Sequence, residues 1–203
     1  MSIRRFIKLV EAPYQLDQDD YNDDMTSTKD AATLRYNQFM RYPHEVLEQN
    51  SRYMLARSVF DDAGEYMLIS QPGNRVSYYN SYEVNHIPGL GVTATQKDVW
   101  ANKPNYPHIA QHVFMTYMLD AFDTLVADTE QTPDGRKFWV RCMTEAVNNG
   151  LTVGILDTGR GTFAIYTDEE GQTFPEWLQK NWAWGKDAAF EALLPFISNH
   201  NHH

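Results

Sequence analysis

Residues 109–157 read IAQHVFMTYMLDAFDTLVADTEQTPDGRKFWVRCMTEAVNNGLTVGILD, and the fold is decided in this stretch. Ile109, Val113, Phe114, Tyr117, Met118 and Leu119 give residues 109–122 an apolar cover wider than one stripe. That predicts a helix buried on more than one side. Residues 124–128, TLVAD, are short and β-prone. Thr132 then fits a helix N-cap, Pro133 the first helical position and Asp134 the first turn, where negative charge is favoured. Phe138, Trp139, Cys142, Met143, Ala146 and Val147 share one helical face, and Asn149-Gly150 supplies the stop. A second strand, LTVGILD, follows over 151–157. The order helix, strand, helix, strand is that of an α/β unit.

Downstream, residues 158–161 form a loop, 162–166 a short strand and 174–184 a helix with Pro175 in its first turn. The closing strand is placed at 192–198, where Pro195 argues for an edge or bulged strand. Residues 199–203 read as a tail whose histidines carry no functional weight.

Upstream, residues 4–12 alternate loosely and read as a first strand. Residues 11–30 carry seven acidic residues against one lysine. That is a solvated acidic loop over 14–30, without the glycine and closing glutamate of a calcium loop. Residues 30–41 and 43–56 read as two helices, with Pro43 in the first turn of the second. A turn at 61–64 leads to three meander strands at 65–71, 75–84 and 92–100, separated by Pro72-Gly73-Asn74 and by the break HIPGLG over 86–91.

The totals bound the class. A chain of 203 residues, 42% apolar and 13% aromatic, is globular and suits one domain. One cysteine, Cys142, rules out an internal disulfide and a cysteine-based zinc site, and fits a reducing cytoplasm. No apolar run approaches the roughly 20 residues of a membrane span, and MSIRRFIKLVEAP lacks a signal peptide's apolar core. The net charge of −10 argues against nucleic acid as partner and is compatible with a basic one.

Strand, two helices, three-strand meander, helix, strand, helix, strand is the order of the GCN5-related N-acetyltransferase (GNAT) fold. Over roughly residues 65–157 the chain resembles divergent GNAT-like proteins of phage genomes. Residues 128–139, DTEQTPDGRKFW, resemble the segment joining their fifth strand to their fourth helix, and 86–100, HIPGLGVTATQKDVW, look like their fourth strand and its approach. The resemblance implies an α/β fold with a mixed central sheet: an antiparallel meander followed by βα units, with helices on both faces. It also implies a single domain over 1–198 and an acyl-CoA-dependent N-acyltransferase, using acetyl-CoA or another acyl-CoA and an amine acceptor, without a metal.

In the family, the fourth strand leads into a loop of the form Arg/Gln-x-x-Gly-x-Gly/Ala. Backbone amides there and the next helix's N-terminus hold the cofactor pyrophosphate, and glycine permits close approach. The resemblance assigns cofactor binding to Val99 and Trp100 on the strand and to Asn105, His108, Ile109 and Ala110 in the loop. Asp128, at a strand end on the edge where α/β folds collect ligands, is the candidate catalytic residue, as a base or to bind and orient the amine. The pattern departs from the family in three places: Asn105 stands for Arg/Gln, His108 for the glycine, and Pro107 removes a donor. Residues 132–149 also hold no tyrosine to protonate a departing thiolate. A second reading therefore stands beside the first: a non-catalytic GNAT-fold binding protein, such as a phage factor that engages or inhibits a host protein.

Among single residues, His108 and His112 share a helix face at metal-ligand spacing, but the glutamate of a HExxH motif is missing. Capping or partial burial is the plainer expectation for that pair. For Asp128 the plain alternative is a turn cap, and for Cys142 a place in the core. Tyr78, Tyr79, Tyr82 and Trp139 either line a pocket or simply fill the core.

Overall fold

The computed structural model describes residues 35–71, 73–101, 106–129, 132–168, 171–181 and 193–200. The expected first strand at 4–12, the acidic loop at 14–30 and Asn105 lie outside them. The described residues form nine strands and a few helices, an α/β composition. They fall into two compact units, one reaching to Leu125 and the other beginning at Val126.

In the first unit, the first described element is a helical segment, α1 (35–39). Five strands follow as a continuous antiparallel meander: β1 (Glu45–Gln49), β2 (Tyr53–Val59), β3 (Ala63–Ser70), β4 (Arg75–Ile87) and β5 (Gly91–Ala101). The three expected meander strands are β3 to β5, with β4 running to Ile87, into the expected break.

The helix expected at 43–56 is not formed; this stretch is the β1–β2 hairpin. Asn50 decides the matter. Its side-chain oxygen accepts from Arg52 N at 2.8 Å and Tyr53 N at 3.1 Å, and its own N–H donates to Tyr53 O at 3.0 Å. A side chain that closes a turn on its own backbone competes directly with helix. Leu55 and Ala56 are then fully buried, on opposite faces of the sheet. Tertiary burial on both faces outweighs the helix propensity of EVLEQ.

Alternation sets what each face carries. Ala56, Met67, Ile69, Val76 and Tyr79 form a core cluster with Phe39 of α1, edged by Trp100. The other face carries Leu55, Tyr66, Leu68, Tyr78, Asn80 and Tyr82, all nearly inaccessible. Against it packs α2, which runs α-helical over Ile109–His112, as a π-helix over Val113–Met118 and α-helical again over Leu119–Ala121. Asn80 Nδ2 meets Met118 Sδ of that helix at 3.2 Å. This unit's sheet is thus covered by a helix on each face.

A short strand, β6 (Thr124–Val126), ends the first unit and begins the second. In the second unit, α3 (Pro133–Asn148) starts as expected: Thr132 Oγ1 accepts from Gly135 N at 3.1 Å, with Pro133 behind it. It ends at Asn149-Gly150, where Gly150 takes φ +74°. Trp139, Cys142, Met143 and Ala146 are fully buried, and the helix lies against β7 (Thr152–Asp157) and β9 (Leu193–Ser198). The strand β8 (Thr162–Ile165) pairs with β7, and α4 (Phe174–Asn181) packs Phe174 and Trp177 on Tyr166.

Pro195 does not mark an edge or a bulge. It lies buried in β9, which pairs with β7 in unbroken antiparallel register, and its carbonyl accepts from Ala127 N at 2.9 Å on the opposite flank. In a strand the N–H and C=O of one residue point to the same side. The donor that proline lacks therefore faces away from β7, and that ladder loses nothing. No described helix is long and apolar enough to cross a membrane.

Candidate functional site at the entry of α2

The strand and loop assigned to the cofactor lie in the first unit. Along β5 the pairing with β4 steps from Tyr82↔Gln96 to Asn80↔Val99, so β5 carries one extra residue around Lys97-Asp98. Ser81 Oγ fills the gap by accepting from Asp98 N at 3.2 Å. Such bulges re-aim side chains and are frequent beside active sites. Just past it, Val99 lies opposite Asn80 and Trp100 opposite Tyr79. Adjacent strand residues point to opposite faces. Trp100 therefore packs with the α1-side cluster, while Val99 belongs to the α2 face. The structure does not bring these two side chains together.

At the helix entry, Tyr106 is half-buried, Pro107 and His108 are exposed, Ile109 is buried and Ala110 is half-buried. His108 is the N-cap and takes φ +66°, ψ +6°, with no capping bond from its side chain. Its carbonyl accepts the first helical bond, from His112 N at 2.9 Å. A left-handed backbone costs a non-glycine residue roughly 1–2 kcal/mol. His108 thus holds a conformation that favours glycine.

His112 does not pair with His108. Its Nε2 donates to Glu48 Oε1 of β1 at 2.6 Å, and Tyr117 OH donates to the same oxygen at 2.8 Å. Tyr53 OH donates to Glu48 Oε2 at 2.6 Å, and Thr116 Oγ1 lies 3.4 Å from His112 Nδ1. His112 and Tyr117 are five residues apart, which an ordinary α-helix turns well away from each other. The π-turn between them, built on i→i+5 spacing, rotates both toward Glu48, with their rings edge-on at 5.6 Å.

Partial burial works against the Glu48 charge, but the bonds from Tyr53, His112 and Tyr117 outweigh it and hold the carboxyl below the usual carboxylate range. The Tyr117 hydroxyl is pushed up to about 12, first by burial and then by its bond to that carboxylate. It is a donor that stays protonated. Upstream, Tyr106 OH donates to Arg52 O at 3.2 Å and accepts from Ser70 Oγ at 3.0 Å, while its ring meets Tyr53 edge-on at 5.7 Å.

Asp128, in the second unit, turns its Oδ1 to Thr129 N at 2.7 Å and Thr129 Oγ1 at 3.3 Å, the geometry of a local turn cap. Cys142 is fully buried, and burial pushes its thiol up to about 12. Tyr78, Tyr79, Tyr82 and Trp139 are core residues. Among the described residues no three His, Cys, Asp or Glu side chains stand together as a metal site requires.

Sequence reasoning missed Glu48, Tyr53 and Tyr117 as a group, because a helical reading of 43–56 gives Glu48 no route to α2. The available signal was Asn50-Ser51 flanked by two short runs containing Val46, Tyr53 and Val59. No family model, curated protein or solved structure matches this chain.

Proposed function

We propose that this is a GNAT-like protein, of the kind phages encode, that binds an acyl-CoA at the entry of α2 and transfers the acyl group to an amine. The observation that carries this reading is the left-handed backbone at His108, between the bulged strand β5 and the first turn of α2. Strain of this kind persists where its surroundings hold it, and it gathers at ligand-binding turns. The order β3, β4, β5, α2, β6, α3, β7 supports the same reading. In it, Ile109 and Ala110 receive the phosphates at the positive end of α2, with the Ala110 amide as the donor since Ile109 N is bonded to Tyr106 O at 3.4 Å, and Asn105 and His108 are assigned to the same loop. Of the two strand residues assigned to the cofactor, Val99 is on the α2 face and Trp100 on the opposite one, and Asp128, in the other unit, is the acidic group assigned to the acceptor. An amine attacking a thioester held in line needs proximity and orientation above all.

Calorimetric or thermal-shift titration with acetyl-CoA tests this. A cofactor at about a hundred-fold excess over its dissociation constant adds roughly 2.7 kcal/mol of stability. No shift at millimolar acetyl-CoA overturns the reading.

The second reading, a GNAT-fold protein that binds a host protein without transfer chemistry, draws on Pro107, on the His108 side chain at the cradle and on the Asp128 carboxylate committed to Thr129. It is the reading left standing by a null titration. A defined host partner that binds without acyl-CoA supports it.

A further inference from the structure

The β1–β2 hairpin is tied to the chain on both sides of His108. Before it, Tyr106 is bonded to Arg52 O and Ser70 Oγ. After it, His112 and Tyr117 converge on one oxygen of Glu48. The left-handed residue lies between these two ties, in the segment assigned to the cofactor phosphates. We infer that Glu48 is a positioning residue for the cofactor loop: it fixes the first turn of α2, through His112 and Tyr117, in the conformation that receives the cofactor. This rests on the acyl-CoA reading above.

Glu48 acts through its neighbours. A carboxylate repels a phosphate, so direct contact is the wrong role for it. What it contributes is order. Its two oxygens are shared by three donors from β2 and α2, and it is about one-quarter exposed. A glutamine would leave a single carbonyl oxygen for three donors. The first turn would then be ordered at the moment of binding, and that cost appears as lost affinity.

The test measures coenzyme A binding by calorimetry in the full chain, with hydrogen exchange of the amides at 109–113 as a second readout. The variants are Glu48→Gln, His112→Leu and Glu45→Gln. Glu45 is on the same strand, but its carboxylate pairs with Arg57 at 2.7 Å, so Glu45→Gln is the control. Glu48→Gln is expected to weaken binding about ten-fold, as loss of an orienting partner does elsewhere. It should also speed exchange at 109–113, while Glu45→Gln changes neither.

Unchanged affinity in Glu48→Gln, with the wild type binding, overturns the positioning role and leaves the acyl-CoA reading intact. Equal weakening by Glu45→Gln also overturns it, since the effect is then general to the hairpin. No binding by the wild type removes both together. Should Glu48→Gln fail to fold, His112→Leu, which has no N–H to give Glu48, removes one strand of the same tie from the helix side and must also weaken binding.

Discussion

The Asp123 carboxylate fills the space that a side chain on Gly91 would need, and its Oδ2 accepts from Val92 N at 2.7 Å. This contact joins the start of β5 to the residue just before β6. Gly91 also takes φ +76°. Gly91→Ala therefore meets two costs, a left-handed alanine and a displaced carboxylate, together about 2–4 kcal/mol. Gly150→Ala, at φ +74° with nothing near its Cβ, meets only the first, about 1 kcal/mol. Urea unfolding of the two variants separates the terms, and equal losses would show that Asp123 simply moves aside.

Acid should weaken the tie between β1 and α2. The Glu48 carboxyl is held below its usual value in the folded chain, so it binds a proton more readily when unfolded. Its contribution is fully present above the ordinary carboxylate pKa and is lost as pH falls through the lower, folded value. Unfolding free energies measured from pH 7 down to about pH 3 should show a shallower acid loss in Glu48→Gln than in wild type. Parallel curves would mean that the carboxylate has the same proton affinity folded and unfolded.

The cap of α3 gives a prediction independent of any ligand. Thr132→Ala removes the acceptor for Gly135 N and should cost about 1 kcal/mol, whereas Thr132→Asn, another good cap, should restore most of it. Chemical denaturation of the pair reads this directly. An unchanged midpoint in Thr132→Ala would mean that Pro133 alone sets the helix start.

Cys142 should be inert in the folded chain. Its thiol is fully buried, and that burial pushes it up to about 12. A thiolate, not a thiol, is the nucleophile. At pH 8, iodoacetamide should leave native protein unlabelled by mass and label it fully in urea. Rapid native labelling would show that α3 opens on the timescale of the reaction.

The elements legible in the sequence are those whose local chemistry and burial agree. Thr132-Pro133-Asp134 and Asn149-Gly150 bracket α3 because cap, first turn and stop are all local signals. The residues 43–56 were misleading because their decisive feature, the turn at Asn50, is one side chain, whereas the helical appearance is spread over many. At the candidate site the start of α2 at Ile109, just after Pro107-His108, is legible from the apolar periodicity. The Glu48 cluster is not: it depends on a strand forming where a helix was expected, and on a π-turn that shifts Tyr117 around the axis of α2. Neither is a matter of composition or period.

The left-handed histidine yields the sharpest prediction. His108→Gly replaces a strained residue with one that adopts φ +66° freely. The relief, about 1 kcal/mol, is partly offset by the greater freedom of glycine in the unfolded chain, so net stability should change by under about 1 kcal/mol. On the proposed acyl-CoA reading, affinity for acetyl-CoA should rise, because the change removes a side chain from the approach to the first turn while leaving its backbone path unaltered. His108→Ala keeps the strain and should be the less stable of the two. Titrating wild type and both variants with acetyl-CoA, beside their unfolding curves, separates strain from access. If His108→Gly is stable but binds more weakly than wild type, the imidazole is itself a ligand for the phosphates, and the histidine is a substitution for the glycine rather than a loss of it.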